Sequence, residues 1–399
     1  MLDPEYLEQA GGMVASVYSE IEAELVAALV DAMLAGDVSE WRAQLALRML
    51  SQDDVTKLRA IVQRHRGEVS RAVLREVEDA MRRSDAHDLA AIKAALGVEL
   101  PSVTTVEIAR VVRTVTEMLE RDNVALTMGA TQAFYRESAW AVTQVGTGAM
   151  GYPEAIRRAT RSLARRGIDV IQYKDPTTGD LTAASRADVA VRRHVRSQLS
   201  QACATRSLQL CDESGCGFVE VSSHVGARPS HQDWEGRCYS LRGDVEVDGT
   251  RYRDFGEATG YYGTGDHGAL GDRLCGVNCR HQFGPWFPGL PHAYEPRPRH
   301  PSGMDSAEVY ELTQKQRGYE RALRDAKREY QAARRAYEVQ RTPESLTDAQ
   351  KAKALMKARQ RRLLDFIDEH DQVLTRDVSR EWAGDMPRKR LPGSGPRTT

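Results

Sequence analysis

Along residues 1–167 apolar side chains return at steps of three and four, and only a helix turns that spacing into one continuous face. In the first stripe Val17, Ile21, Leu25, Leu29 and Met33 follow one another until Gly36 ends the run. Ser39 caps a second segment, with Arg42 where a capping box would place Glu. Ser51 to Asp54 opens a third, which carries Leu58, Val62, Val69, Val73 and Val77 and runs to Arg83. The spacing then predicts helices over 86–96, 104–122, 124–146 and 153–166, with Pro101 and Pro153 at breaks. A short strand fits 168–174 before an Asp175-Pro176 turn. A long helix with a basic surface, carrying Arg186, Arg192, Arg193, Arg196 and Arg206, fits 184–212.

At Cys216 the pattern changes. Phe218 to Ser222 alternates like a strand, Gly and turn residues are dense through Gly289, and prolines dominate from Pro285 to Pro301. Helical spacing resumes over 306–372. Leu312, Tyr319, Leu323, Ala326, Tyr330, Ala333 and Tyr337 form a heptad-like seam, with Gln316 in one slot. Thr342-Pro343-Glu344 interrupts it, and Ser345 or Thr347 starts a second helix with Leu355, Leu363, Leu364 and Ile367. So short a connection implies an antiparallel helical hairpin. The expected fold is therefore mainly α, of α+β type. Its segments are a helical N-terminal region (1–167), a basic helix with an irregular β-containing module (168–301), a helical hairpin (302–376) and a flexible basic tail (377–399).

Charge narrows the function classes. Lys and Arg number 56 against 57 Asp and Glu, a net charge of −1, so no global field draws the chain to nucleic acid or anionic lipid. Contact with DNA or a partner must come from local patches. The candidates are the Lys351, Lys353, Lys357, Arg359, Arg361 and Arg362 face of the hairpin and the tail residues Arg388, Lys389 and Arg390. No stretch approaches the roughly 20 apolar residues needed to span a bilayer, and no secretory leader opens the chain. A soluble protein made in a cytoplasm is expected.

The six cysteines all fall between Cys203 and Cys279, interleaved with histidines. In a cytoplasmic chain this clustering favours metal chemistry over disulfides. His224, His231, Cys279 and His281 offer the imidazoles and thiolate of a tetrahedral zinc site, although the spacing matches no standard finger. Cys216 and Cys275 are substitute ligands, and Cys211, Cys216, Cys275 and Cys279 make a four-thiolate alternative. The preferred reading is plainer. In a loop-rich module every buried N–H and C=O needs a partner, and His224, His231, Arg228 and Asn278 can supply them. A hydrolytic reading uses Asp233, Glu235, Asp266 and His267 with a His-bound metal. No His-Glu-x-x-His, nucleophile elbow or phosphate loop accompanies it.

The stretch from Val219 to Leu241, a Tyr262-Gly263 element, and the stretch from Leu274 to Gly289 together resemble the diagnostic region of the phage minor capsid protein 2 family. They are similar, more distantly, to the Mu F-like head morphogenesis module. The shared positions fall on His224, Arg228, Pro229, His231, Gly236, Asn278, Cys279, Arg280 and His281. The opening around Tyr18 to Leu25, the basic helix before Cys216 and the Gln314–Glu329 segment also look like that family's layout. The long hydrophilic stretch from Arg242 to Asp272 departs from it and leaves open whether the two half-motifs meet. The resemblance implies a non-enzymatic structural protein of a tailed phage head, present in several copies. It would be associated with the portal or the major capsid protein and with packaged DNA, and would act in head assembly, packaging or ejection. It would be made in the host cytoplasm and would need no membrane. The alternatives are a metal-dependent nuclease or maturation peptidase, and a DNA-binding virion protein.

Overall fold

A computed structural model of the chain describes residues 1–35, 50–174, 181–265, 267–269 and 271–383. Gly36, Ser39, Arg42, Asp175, Pro176, Asp266 and the tail with Arg388, Lys389 and Arg390 lie outside the described residues. The described chain is mainly helical, with three small antiparallel sheets. It divides into two units: 1–14, 69–119 and 191–315 form the first, and 15–68, 120–190 and 316–399 the second. Among the described residues no helix is long and apolar enough to cross a membrane.

The helices are α1 (Pro4–Gln9), α2 (Gly12–Leu34), α3 (Gln52–Arg64), α4 (Arg66–Leu96), α5 (Thr105–Gly146), α6 (Tyr152–Arg166), α7 (Ala187–Ser214), α8 (Phe255–Thr259), α9 (Ser306–Gln340) and α10 (Pro343–Glu369). The strands are β1 (Asp169–Lys174), β2 (Leu181–Arg186), β3 (Phe218–Val221), β4 (Cys238–Ser240), β5 (Val245–Val247), β6 (Thr250–Tyr252) and β7 (Phe283–Trp286). Asp54 completes the capping box on Ser51 that opens α3.

Several boundaries differ from the sequence reading. The helix begun at Ser51 stops at His65, and α4 then runs unbroken through Ser84 and Asp85. Both residues are buried. Asp85 accepts from the Val103 amide at 2.9 Å and from the Arg206 guanidinium at 2.8 Å. What looks like a polar interruption is a buried ion pair inside a helix face. Similarly, Asp122 and Asn123 do not break α5, where the Asn123 side-chain oxygen Oδ1 accepts from the Tyr18 hydroxyl at 2.7 Å. Residues 184–186, expected to open the following helix, instead belong to β2, which pairs with β1. Register with a neighbouring strand outweighs the helix propensity of two alanines. The hairpin's second helix starts at Pro343, capped by Thr342, whose hydroxyl accepts from the Ser345 amide.

In the second unit α9 and α10 pack as the antiparallel hairpin that the seam requires. Tyr330 and Ala333 meet Ala349 and Ala352 near the turn. Leu323 meets Leu363 and Ile367 further out. Tyr319 stacks edge-on against Phe366 with centroids 5.0 Å apart. Buried ion pairs sit beside this hairpin: Arg328 with Glu22 at 2.7 Å, and Arg324 with Asp188.

In the first unit β3 is the centre of the sheet ordered β4-β3-β7. Val219 lies opposite Tyr239 on one side and Pro285 on the other. Trp234, Phe255, Leu274 and Phe283 close the core beneath it. β5 and β6 form a separate hairpin within the Arg242–Asp272 stretch, and the Asp254 carboxylate caps α8 just after it. This excursion leaves from β4 and returns to the core at Leu274, so the two half-motifs are brought side by side.

Candidate metal centre

Two short segments build the site. A single 3-10 turn, Pro229–His231, has Pro at its first position, where the missing N–H costs nothing. It turns His231 inward, with 2 % of its surface exposed. The second segment is the loop before β7, where Cys275 and Asn278 take positive φ and let the chain double back at Cys279. His281 then enters the core fully buried.

The ligand-capable atoms converge. His231 Nδ1 stands 3.2 Å from His281 Nδ1, and Cys279 Sγ lies 3.8 Å and 3.7 Å from those two nitrogens. The outer nitrogens point away from this centre to fixed acceptors. His281 Nε2 meets Glu235 Oε2 at 2.9 Å, and His231 Nε2 faces the Gly271 carbonyl at 3.4 Å. The His281 amide donates to Cys279 Sγ at 3.4 Å. The Trp234 ring packs on both imidazoles, with centroids 4.6 Å from His231 and 4.8 Å from His281.

His224 stands apart from this trio. Its ring stacks on His281 at 4.4 Å, its Nδ1 donates to the Val225 carbonyl, and its amide donates to Glu235. Of the four ligands expected from sequence, the structure therefore brings together three, and the fourth becomes a stacking partner. The four-thiolate alternative does not assemble. Cys216 donates toward the Phe218 and Trp286 carbonyls, Cys275 donates to Gln282 Oε1, and Cys211, Cys216, Cys275 and Cys279 form no ligand group.

Burial sets the charge states. It pushes His231 and His224 down to about 3, and His281 well below its ordinary value, because none of the three cations would have water around it. Burial pushes the Glu235 carboxyl up to about 7, opposed by the His224 amide. It also raises the Cys279 thiol.

The remaining motif residues brace the module. Arg228 donates to the Gly271 and Val277 carbonyls, as a residue bridging carbonyls was expected to. Arg280 pairs with Glu8 at 2.9 Å and donates to the Gly226 carbonyl. The Asn278 side chain accepts from Arg196 at 2.7 Å. Of the hydrolytic candidates, Asp233 pairs with Arg297 and Glu235 serves His281; neither shares a ligand group with His267. Sequence reasoning missed the roles of Trp234, Arg196 and the Gly271 carbonyl. Only the i, i+4 spacing of His231 and Glu235 hinted that the carboxylate belongs with the histidines.

Gly236 shows why that motif position carries no side chain. Its φ is +66°, and a Cβ there would overlap the Glu295 carbonyl and stand 2.7 Å from the Pro296 nitrogen. Gly236→Ala should therefore destabilise the chain by about 2–3 kcal/mol, combining left-handed strain with backbone overlap. Urea unfolding monitored by Trp fluorescence measures it, and an unchanged midpoint would contradict the account.

In the first unit the polar side chains of the loop-rich module are used for contacts within the chain, as in a structural protein. The chain matches the family described as phage minor capsid protein 2 over residues 2–368, and it belongs to that family. It is a structural component of a phage virion. No curated protein and no solved structure matches it.

Proposed function

We propose that this chain is a low-copy protein of the phage head that docks on the portal and the adjoining shell and acts in head assembly. The observation that supports this reading best is how the family's shared polar residues are used. Arg228, Arg280 and Asn278 serve contacts within the chain, as expected of a rigid support, and Gly236 leaves room for the Glu295 backbone. The exposed face of α10, with Lys351, Lys357, Arg361 and Arg362, offers charge to a partner. The test is cross-linking of intact virions followed by mass spectrometry. Cross-links from α10 lysines to portal, with few copies per particle, are the expected result. A chain absent from virions, or cross-linked only to tail proteins, would overturn the proposal.

A second reading, DNA contact, has one feature in its favour. A cleft of about 940 Å³ in the second unit is lined by Arg136, Arg157, Arg158, Arg161, Arg165, Arg166 and Lys351. Five carboxylates share that lining, and Asp348 alone engages both Arg157 and Arg161. Much of the positive charge is thus answered within the chain, which favours a protein partner. Filter binding between low and moderate salt separates the two readings. Several phosphate contacts would make affinity fall steeply with salt.

A further inference from the structure

We propose that His231 Nδ1, Cys279 Sγ and His281 Nδ1 bind one zinc ion, with Glu235 and the Gly271 carbonyl orienting the two imidazoles from outside. This inference rests on the geometry of the loop-rich module and holds whichever partner the chain docks on. In a tetrahedral zinc site Zn–N is about 2.0–2.1 Å and Zn–S about 2.3 Å, which sets ligand nitrogens about 3.3 Å apart and nitrogen and sulfur about 3.6 Å apart. The three separations are 3.2, 3.7 and 3.8 Å.

The surrounding hydrogen bonds agree with the same assignment. With Nε2 of each imidazole donating outward, to Glu235 and to Gly271, both Nδ1 lone pairs point at one spot beside the sulfur. Two bare nitrogens 3.2 Å apart repel each other unless a cation lies between them. The competing arrangement puts a proton on Glu235 and another on His281 Nδ1, giving a hydrogen-bonded chain through His231 to Gly271. That arrangement leaves unexplained why the Cys279 sulfur sits equidistant from both nitrogens and accepts the His281 amide. Charge favours the metal as well. On binding zinc the buried Cys279 would release its proton, and the resulting thiolate would answer part of the ion's charge. One thiolate with two imidazoles, each held by an outer acceptor, is a donor set suited to zinc.

A second group in the same unit, Glu220, Cys238 and His292, serves as an internal control. It is more open, and Glu220 already accepts from the Ala293 and Tyr294 amides. The experiment uses the full chain purified under reducing conditions and loaded with zinc. Elemental analysis should return about one zinc per chain. X-ray absorption should show a first shell of one sulfur with nitrogen or oxygen neighbours. Cys279→Ser should lose the metal and Cys238→Ser should keep it. Glu235→Gln should still bind, with affinity for zinc lowered by about 10–100-fold in competition with a chromophoric chelator. No bound zinc after loading, a shell without sulfur or with four sulfurs, or loss in Cys238→Ser alone would each overturn the proposal. The absorption measurement needs no variant, so a Cys279→Ser chain that fails to fold leaves the test intact.

Discussion

Glu22→Ala should destabilise the second unit by about 3–5 kcal/mol, the range for breaking a buried ion pair by removing one partner. One Glu22 oxygen accepts from the Ile168 amide at 2.9 Å and the other pairs with Arg328 at 2.7 Å. Both side chains are almost fully shielded, 2 % exposed for Glu22 and 4 % for Arg328. The truncation leaves a guanidinium without its carboxylate and an amide without its acceptor. Chemical denaturation read by circular dichroism gives the number. A loss below about 1 kcal/mol would mean that water reaches Arg328 and that the pair is effectively a surface one.

The neighbouring pair adds a pH signature. Burial alone would raise the Asp188 carboxyl, but Arg324, Arg328 and Arg186 hold it below its ordinary value. A depressed carboxyl contributes stability that is fully present above its unfolded value of 3.8 and is lost as pH falls through its lower folded value. The wild type should therefore lose stability below about pH 4, and Asp188→Asn should flatten that limb while lowering stability at neutral pH. An acid limb unchanged in Asp188→Asn would assign the loss to other carboxylates.

Phe283→Ala should cost a further 3–5 kcal/mol or so, measured against wild type in the same denaturation series. Phe283 begins β7, is fully buried, and packs edge-on against Phe255 at 4.7 Å and Tyr261 at 5.3 Å. Truncation opens a cavity directly beneath the loop that carries Cys279 and His281. Phe283→Leu, which refills most of the volume, should cost clearly less. Equal losses for the two variants would show that ring contacts, and not volume, decide the stability there.

Much of the architecture was legible in the chain. The three-and-four spacing marked α2, α6 and the hairpin, because each of these helices buries one stripe and periodicity reports that directly. Residues with a polar side chain inside a helix misled the reading at Asp85 and Asn123, since the partners that satisfy them, Arg206 and Tyr18, are more than 100 residues away in the chain. The strand at 181–186 was hidden for the same reason, its evidence being a neighbour and not its own composition.

The candidate site divides along the same line. Sequence alone determined the residue types and the match to the minor capsid protein 2 family, because these are properties of order along the chain. It left the two half-motifs apart by the length of the Arg242–Asp272 stretch. Only the tertiary structure decided that His231, Cys279 and His281 meet while His224 stacks alongside, and that Glu235 meets the His281 imidazole. The physical reason is that ligand geometry is set to within tenths of an ångström by β3 pairing with β4 and β7, by one 3-10 turn and by two residues at positive φ. Spacing along a chain carries no such distances.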